Sequence, residues 1–162
     1  MMEIRYKAIG VIRSPFKDVH GMPIQAAGAR GVEGTVEIEP IYQPGLKDLD
    51  GFSHVILIYH FHRSRGYELE VKPFMDDHGH GIFATRAPKR PNPIGTSVVR
   101  LTSVRGCTLC IQDVDILDET PLLDIKPFVP EFDIREAERI GWLSKKAGTV
   151  HKVKADKRFS EK

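Results

Sequence analysis

Arg86, Lys89 and Arg90 place three cations within five residues, and Pro91-Asn92-Pro93 follows at once. A proline fixes its own φ and drives the residue before it toward extended backbone, so Arg90 and Asn92 are both restricted. Gly95 then permits a turn or a close backbone approach that a side chain would block. Stiff backbone beside guanidinium, ammonium and amide groups pre-orders donors for a carboxylate or a phosphate. Composition alone also allows a plainer reading, a rigid surface loop between two strands.

Histidine and aspartate supply a rival chemistry. His60-Phe61-His62 closes an apolar run, and Asp76-Asp77-His78-Gly79-His80 follows further on. Together they could make the His/Asp metal site of a hydrolase, because H-x-H on a strand puts both rings on one face. Against this, the DDHGHG stretch is broken by glycine and reads as a loop. His54 and His62 are candidate general bases, although a histidine in an apolar strand is more often a packed, hydrogen-bonded residue. Cys107 and Cys110 have the C-x-x-C spacing of redox pairs and half zinc sites. Beside TLCIQDVDIL they read as part of a strand, where positions i and i+3 point to opposite faces, and no second C-x-x-C exists. Incidental, half-buried thiols are expected.

The elements that must position these groups are short. The 162 residues suit one domain, and 14 glycines with 11 prolines disfavour a helical bundle. Strands are predicted at Tyr6–Ile12, Gly34–Glu39, His54–Phe61, Gly81–Thr85, Ser97–Leu101 and Thr108–Leu117, separated by Gly/Pro/Asp punctuation. Six strands without long helices between them predict a mainly β chain curled into a small barrel. Helices are few: one or two turns at Pro44–Asp50 and a short helix at Asp133–Ile140, where Asp133 looks like a cap with Glu136 three residues on. No G-x-G-x-x-G follows a strand, so a Rossmann domain is not expected. No run of apolar residues is long enough to span a membrane, and MMEIRYKAIG lacks a signal peptide's apolar core, so a cytoplasmic protein is expected.

ATRAPKRPNPIG resembles the signature of the TsaA-like, or TrmO, family of tRNA methyltransferases. IGVIRSP, MPIQ, LDGFSHVILIYHFH and DETPLLDIKPFVP also match, in the family's order, up to about Pro130. The resemblance implies a non-Rossmann β-barrel that uses S-adenosylmethionine to methylate N(6)-threonylcarbamoyladenosine beside the tRNA anticodon, at adenosine 37. It also implies a homodimer with the cofactor near the subunit interface. Carried over by position, the implied cofactor segments are Pro23-Ile24-Gln25, His62-Arg63, Arg86 with Arg90, and Asp118-Glu119-Thr120-Pro121. Many relatives have glycine where Glu119 stands. Longer relatives carry a further C-terminal domain, where this sequence has a short basic tail.

That tail sets the remaining expectation. From Lys145 to Lys162 there are seven Lys/Arg against two acids, whereas the whole chain has a net charge of only +2. A partition at 1–143 for the barrel and 144–162 for the tail follows, with Lys145, Lys146, Lys152 and Lys154 joining Lys89 and Asn92 as candidate tRNA contacts. His62 is the candidate catalytic residue, since a ureido-like nitrogen is a poor nucleophile until its proton is removed.

Overall fold

The computed structural model describes residues 2–145, 154–156 and 159. Strands β1 (Gly10–Arg13), β2 (Glu33–Ile38), β3 (His54–His60), β6 (Ile94–Arg105), β7 (Thr108–Gln112) and β8 (Thr120–Pro127) close an antiparallel barrel in the order β1-β2-β7-β6-β3-β8. β4 (Glu70–Val71) and β5 (His80–Gly81) pair separately as a small ribbon. Alternation builds the core. Val55, Leu57 and Tyr59 of β3 point inward against Ser97, Val99 and Leu101 of β6, with Ile12, Val36, Leu109 and Leu122 from the other strands. Closing the sheet leaves no unpaired edge, which is how so short a set of strands avoids exposing its backbone.

Two strand expectations change. Gly81–Thr85 is not a barrel strand: after β5 the chain makes a 3-10 turn at Ile82–Ala84. Arg90 Nη1 donates to the carbonyls of Ile82 and Thr85 at 3.1 and 2.9 Å, and Thr85 Oγ1 donates to Ile82 O at 2.9 Å. The carbonyls that a ladder would need are therefore taken locally. The sixth barrel strand is instead β8, hidden in the sequence by Pro121 and Pro127. Each proline sits where only one neighbour is paired, Pro121 against β1 and Pro127 against β3, so its missing N–H costs no ladder bond.

The helix expected at Asp133–Ile140 is also displaced. The structure has one turn, α1, at Pro130–Asp133. Pro130 at its first position pre-sets φ, and Asp133 Oδ2 accepts the Val129 amide at 2.7 Å, so Asp133 closes this turn rather than opening another. Pro40–Leu46 and Leu49–Gly51 are 3-10 segments covering the turns expected near Pro44–Asp50. Cys107 lies in the β6–β7 turn after Gly106, whose φ is +59°, so the two sulfurs do not share a strand as expected. Both thiols are free and half-buried.

Lys146 and Lys152 lie outside the described residues, as does the side chain of Lys145. Lys154 is exposed and forms a backbone bridge with Pro23. Ala155 exchanges backbone hydrogen bonds with Gly21 and Met22, and buried Phe159 packs edge-on against Phe74 beside Val71, Ile82 and Ala87. Beyond the boundary drawn at 143, these residues pack on the body.

Candidate functional site

A cavity of about 750 Å³ opens at one end of the barrel. Pro23, Ile24 and Gln25 from the loop after β1, His62, Arg63 and Arg65 after β3, and Arg86 and Arg90 after β5 all line it. Thr120 at the start of β8 joins them, whereas Lys89, Asn92, Asp118, Glu119 and Pro121 of the set expected from sequence do not line the cavity. Gly95, Thr96, Ile116, Leu117 and Phe61 give it an apolar wall, while Ala155 and Phe159 close one side. The volume falls within the usual ~300–1,000 Å³ of small-molecule sites.

The arginines divide by role. Arg86 is exposed into the cavity, and its Nη1 donates to Gln25 Oε1 at 3.0 Å, which ties two predicted segments together across 61 residues. Arg90 instead spends Nη1 on the Ile82 and Thr85 carbonyls and lies over the Phe83 ring at 5.8 Å. It shapes the loop that presents Arg86. Lys89 is paired with Glu68 Oε1 at 2.8 Å, and Asn92 is exposed outside the cavity lining.

His62 is half-buried at the cavity wall. Thr120 Oγ1 donates its only proton to Leu117 O at 2.7 Å, so the contact of 3.3 Å to His62 Nδ1 has the ring nitrogen as donor. That leaves Nε2 with its lone pair. Burial, then Arg63 and His60, hold the imidazole below its ordinary pKa, which favours the neutral ring. His54 is elsewhere: it contacts Ser53 Oγ at 2.9 Å and meets Phe128 edge-on. His60 does not line the cavity, and His78 and His80 pair with Asp76 at 3.0 and 3.4 Å. Among the described residues no group of three such side chains is arranged to hold a metal ion.

The segment Asp118–Pro121 splits. Only Thr120 reaches the cavity, while Pro121 pairs with Val11. Asp118 and Glu119 line a separate groove with Arg13 and Lys17. Asp118 accepts the Ser14 amide at 3.0 Å and is ion-paired with Lys17, which holds its carboxyl below the ordinary range. A depressed carboxyl stabilises the fold above its unfolded pKa, and that contribution is lost as pH falls through the folded value. Asp118→Asn should therefore melt below wild type at neutral pH, with the gap closing under acid; a thermal series from about pH 7 to about pH 2 reads this. Salt should narrow the neutral gap, because Lys17 is largely exposed.

Glu119 has φ +63°, a left-handed conformation that glycine adopts without strain. Among the described residues its carboxylate pairs with Arg13 at 3.2 Å, an exposed pair. Glu119→Gly should stabilise the protein by about 1 kcal/mol, read by denaturant unfolding, because the relieved strain exceeds an exposed ion pair.

Sequence reasoning missed Asp115, Ser97 and Tyr59. Ser97 Oγ donates to Asp115 Oδ1 at 2.6 Å, so the 3.0 Å contact from Tyr59 has the phenol as donor to Ser97. The Ala26 amide also bonds Asp115, and Arg86 acts on it electrostatically. Burial nonetheless raises the Asp115 carboxyl above the ordinary range. Only the inward alternation of β3 and β6 hinted at this chain, since an inward Ser97 among Val99 and Leu101 needs a partner.

The sequence matches the family described as the tRNA-methyltransferase O N-terminal domain over residues 11–134. A probable S-adenosyl-L-methionine-binding protein of Pyrococcus abyssi is 59% identical over 156 residues, covering 96% of this chain and 85% of that protein. The tRNA (adenine(37)-N6)-methyltransferase of Escherichia coli is 34% identical over 140 residues, 80% of this chain and 60% of the other. The crystal structure of TrmO from Pseudomonas aeruginosa matches with a TM-score of 0.73 at 38% identity, across 87% of this chain and 63% of that one. The chain thus spans less than two thirds of the latter two proteins.

Proposed function

Since this chain belongs to the tRNA-methyltransferase O N-terminal domain family, we propose that it methylates N6 of N(6)-threonylcarbamoyladenosine at position 37 of tRNA, using S-adenosylmethionine. The observation that carries this reading is the cavity, where Gln25, His62, Arg63 and Arg86 from distant segments converge beside an apolar wall. Its residues fit the cofactor. Arg86 offers a guanidinium to the methionine carboxylate, carboxylates at Asp18 and Asp115 face the cationic groups, and Ile116, Leu117 and Phe61 suit an adenine ring. When bound, S-adenosylmethionine supplies an electrophilic methyl group. This chain's residues then hold the acceptor in line, exclude water and manage the departing proton.

A second copy of the chain completes the proposal. Ile56 and Ile58 on β3 and Val98 on β6 make an outward apolar strip, and Ile94 and Thr96 continue it into the cavity wall. A homodimer burying this strip would bring the partner to the cavity mouth. Lys154, exposed beside Pro23, offers an ammonium to tRNA phosphates in the cytoplasm; among the described residues no helix is long and apolar enough to cross a membrane.

Calorimetry with S-adenosylmethionine, followed by mass spectrometry of nucleosides from treated tRNA, tests the reading. One methyl group should appear on threonylcarbamoyladenosine; methylation of another nucleoside, or none, would refute the substrate. Sedimentation of wild type against Val98→Glu tests the dimer, which the charge should disrupt.

A further inference from the structure

A nitrogen that carries a hydrogen and gains a methyl group must release a proton, and His62 and Asp115 are side chains of the cavity that could take it. His62 offers Nε2, and Asp115 offers a carboxylate held by Ser97 and the Ala26 amide. They differ in the charge each leaves behind. Protonating neutral His62 creates an imidazolium in a cavity already lined by Arg63, Arg65, Arg86 and Arg90. Protonating Asp115 removes a negative charge at the moment the cofactor's positive charge is discharged. Opposite charges that vanish together avoid leaving an unpaired ion in a poorly solvated site.

We propose that Asp115, rather than His62, accepts the acceptor nitrogen's proton, with Ser97 and Tyr59 positioning its carboxylate. This rests on the methyl-transfer reading above. The N–H bond breaks with its electron pair staying on nitrogen, that pair forms the bond to carbon, and the proton forms an O–H bond on Asp115. The pair from the broken methyl–sulfur bond goes to sulfur, and Asp115 later returns its proton to solvent through the cavity mouth. The surroundings agree in direction: burial raises proton affinity at Asp115, whereas burial and Arg63 lower it at His62. Arg86 and Tyr59 are the charged and titratable groups acting on Asp115, and Asp18, His62, Arg63, Arg65 and Arg90 line the rest of the cavity.

Two readouts test the assignment. The first is binding: calorimetry at mildly acidic pH in buffers of different ionisation heat counts protons released. A cation entering beside Asp115 lowers its proton affinity, so S-adenosylmethionine should release more proton than the uncharged-sulfur product S-adenosylhomocysteine. Asp115→Asn, measured at cofactor concentrations that saturate it, should lose that difference. The second is the single-turnover rate on tRNA, which Asp115→Asn should lower about 100-fold or more. Ser97→Ala, which deletes a hydrogen bond favouring the ionised carboxylate, should move the acid limb of the pH–rate profile to higher pH. Proton release unchanged in Asp115→Asn, a near-wild-type rate, or an acid limb that moves with His62→Gln but not with Ser97→Ala would each overturn the proposal. Wild type that binds cofactor but methylates no tRNA would sink the substrate reading alone, and the proton count would still decide Asp115.

Discussion

Arg86→Ala is expected to weaken S-adenosylmethionine binding by about 30-fold or more with little change in melting temperature, and Arg90→Ala is expected to do the reverse. Truncating one partner of a desolvated, hydrogen-bonded charge pair costs about 2–5 kcal/mol, and about 1.4 kcal/mol is tenfold in affinity. Among the described residues Arg86 hydrogen-bonds one side chain, Gln25, through Nη1, so most of its guanidinium remains for a ligand carboxylate. Arg90 is built into the loop. Its loss strips donors from the Ile82 and Thr85 carbonyls and removes a cation from the face of Phe83, which should cost about 1–3 kcal/mol of stability. Calorimetry and thermal melts on the two variants separate the roles. Equal loss of cofactor affinity in both, at unchanged melting temperature, would mean that Arg90 also meets the ligand.

Gly95→Ala is expected to disturb fold and site together. A Cβ at Gly95 would stand 2.4 Å from Tyr59 Cε2 and 2.8 Å from Phe61 Cζ. Neither ring is free to swing away: Tyr59 is buried opposite Gly95 in the β3–β6 register, and the two rings meet edge-on at 5.5 Å. Overpacking of this kind costs about 1–3 kcal/mol and sometimes more, which for a chain of this size lowers the melting temperature by about 2–4 °C per kcal/mol. Displacing the Tyr59 ring also pulls its hydroxyl from Ser97 and so loosens the hold on Asp115. A double-mutant cycle gives the discriminating measurement. Tyr59→Leu in the Gly95→Ala background should recover part of the stability, since the added methyl then has room. Strictly additive losses would show that the clash lies with Phe61 or the backbone instead.

How much of this was legible beforehand varies with the range of the interaction. Alternating β-branched and aromatic residues were enough for β3, and the density of glycine and proline between short apolar runs was enough for a barrel rather than a bundle. The same local reasoning failed at Ile82–Ala84, where the carbonyls are claimed by an arginine later in the chain, and at β8, whose terminal prolines are harmless only because each faces one paired neighbour. Segments carried over from the family signature, Pro23–Gln25, His62-Arg63 and Arg86, do meet at one cavity.

What only the tertiary structure decided is which side chains share that cavity and on what terms. Arg86 and Arg90 are four positions apart and chemically identical, yet one reaches Gln25 across the cavity and the other clamps its own loop. Asp115 and Asp118 are three apart, and one closes a chain from Tyr59 and Ser97 while the other is tied to Ser14 and Lys17. Strand and turn preferences act over a few residues, and a sequence can be read for them. The electrostatic character of a carboxylate is set instead by desolvation and by partners 18 or more positions away, and it exists only once barrel closure has fixed the register that brings them together.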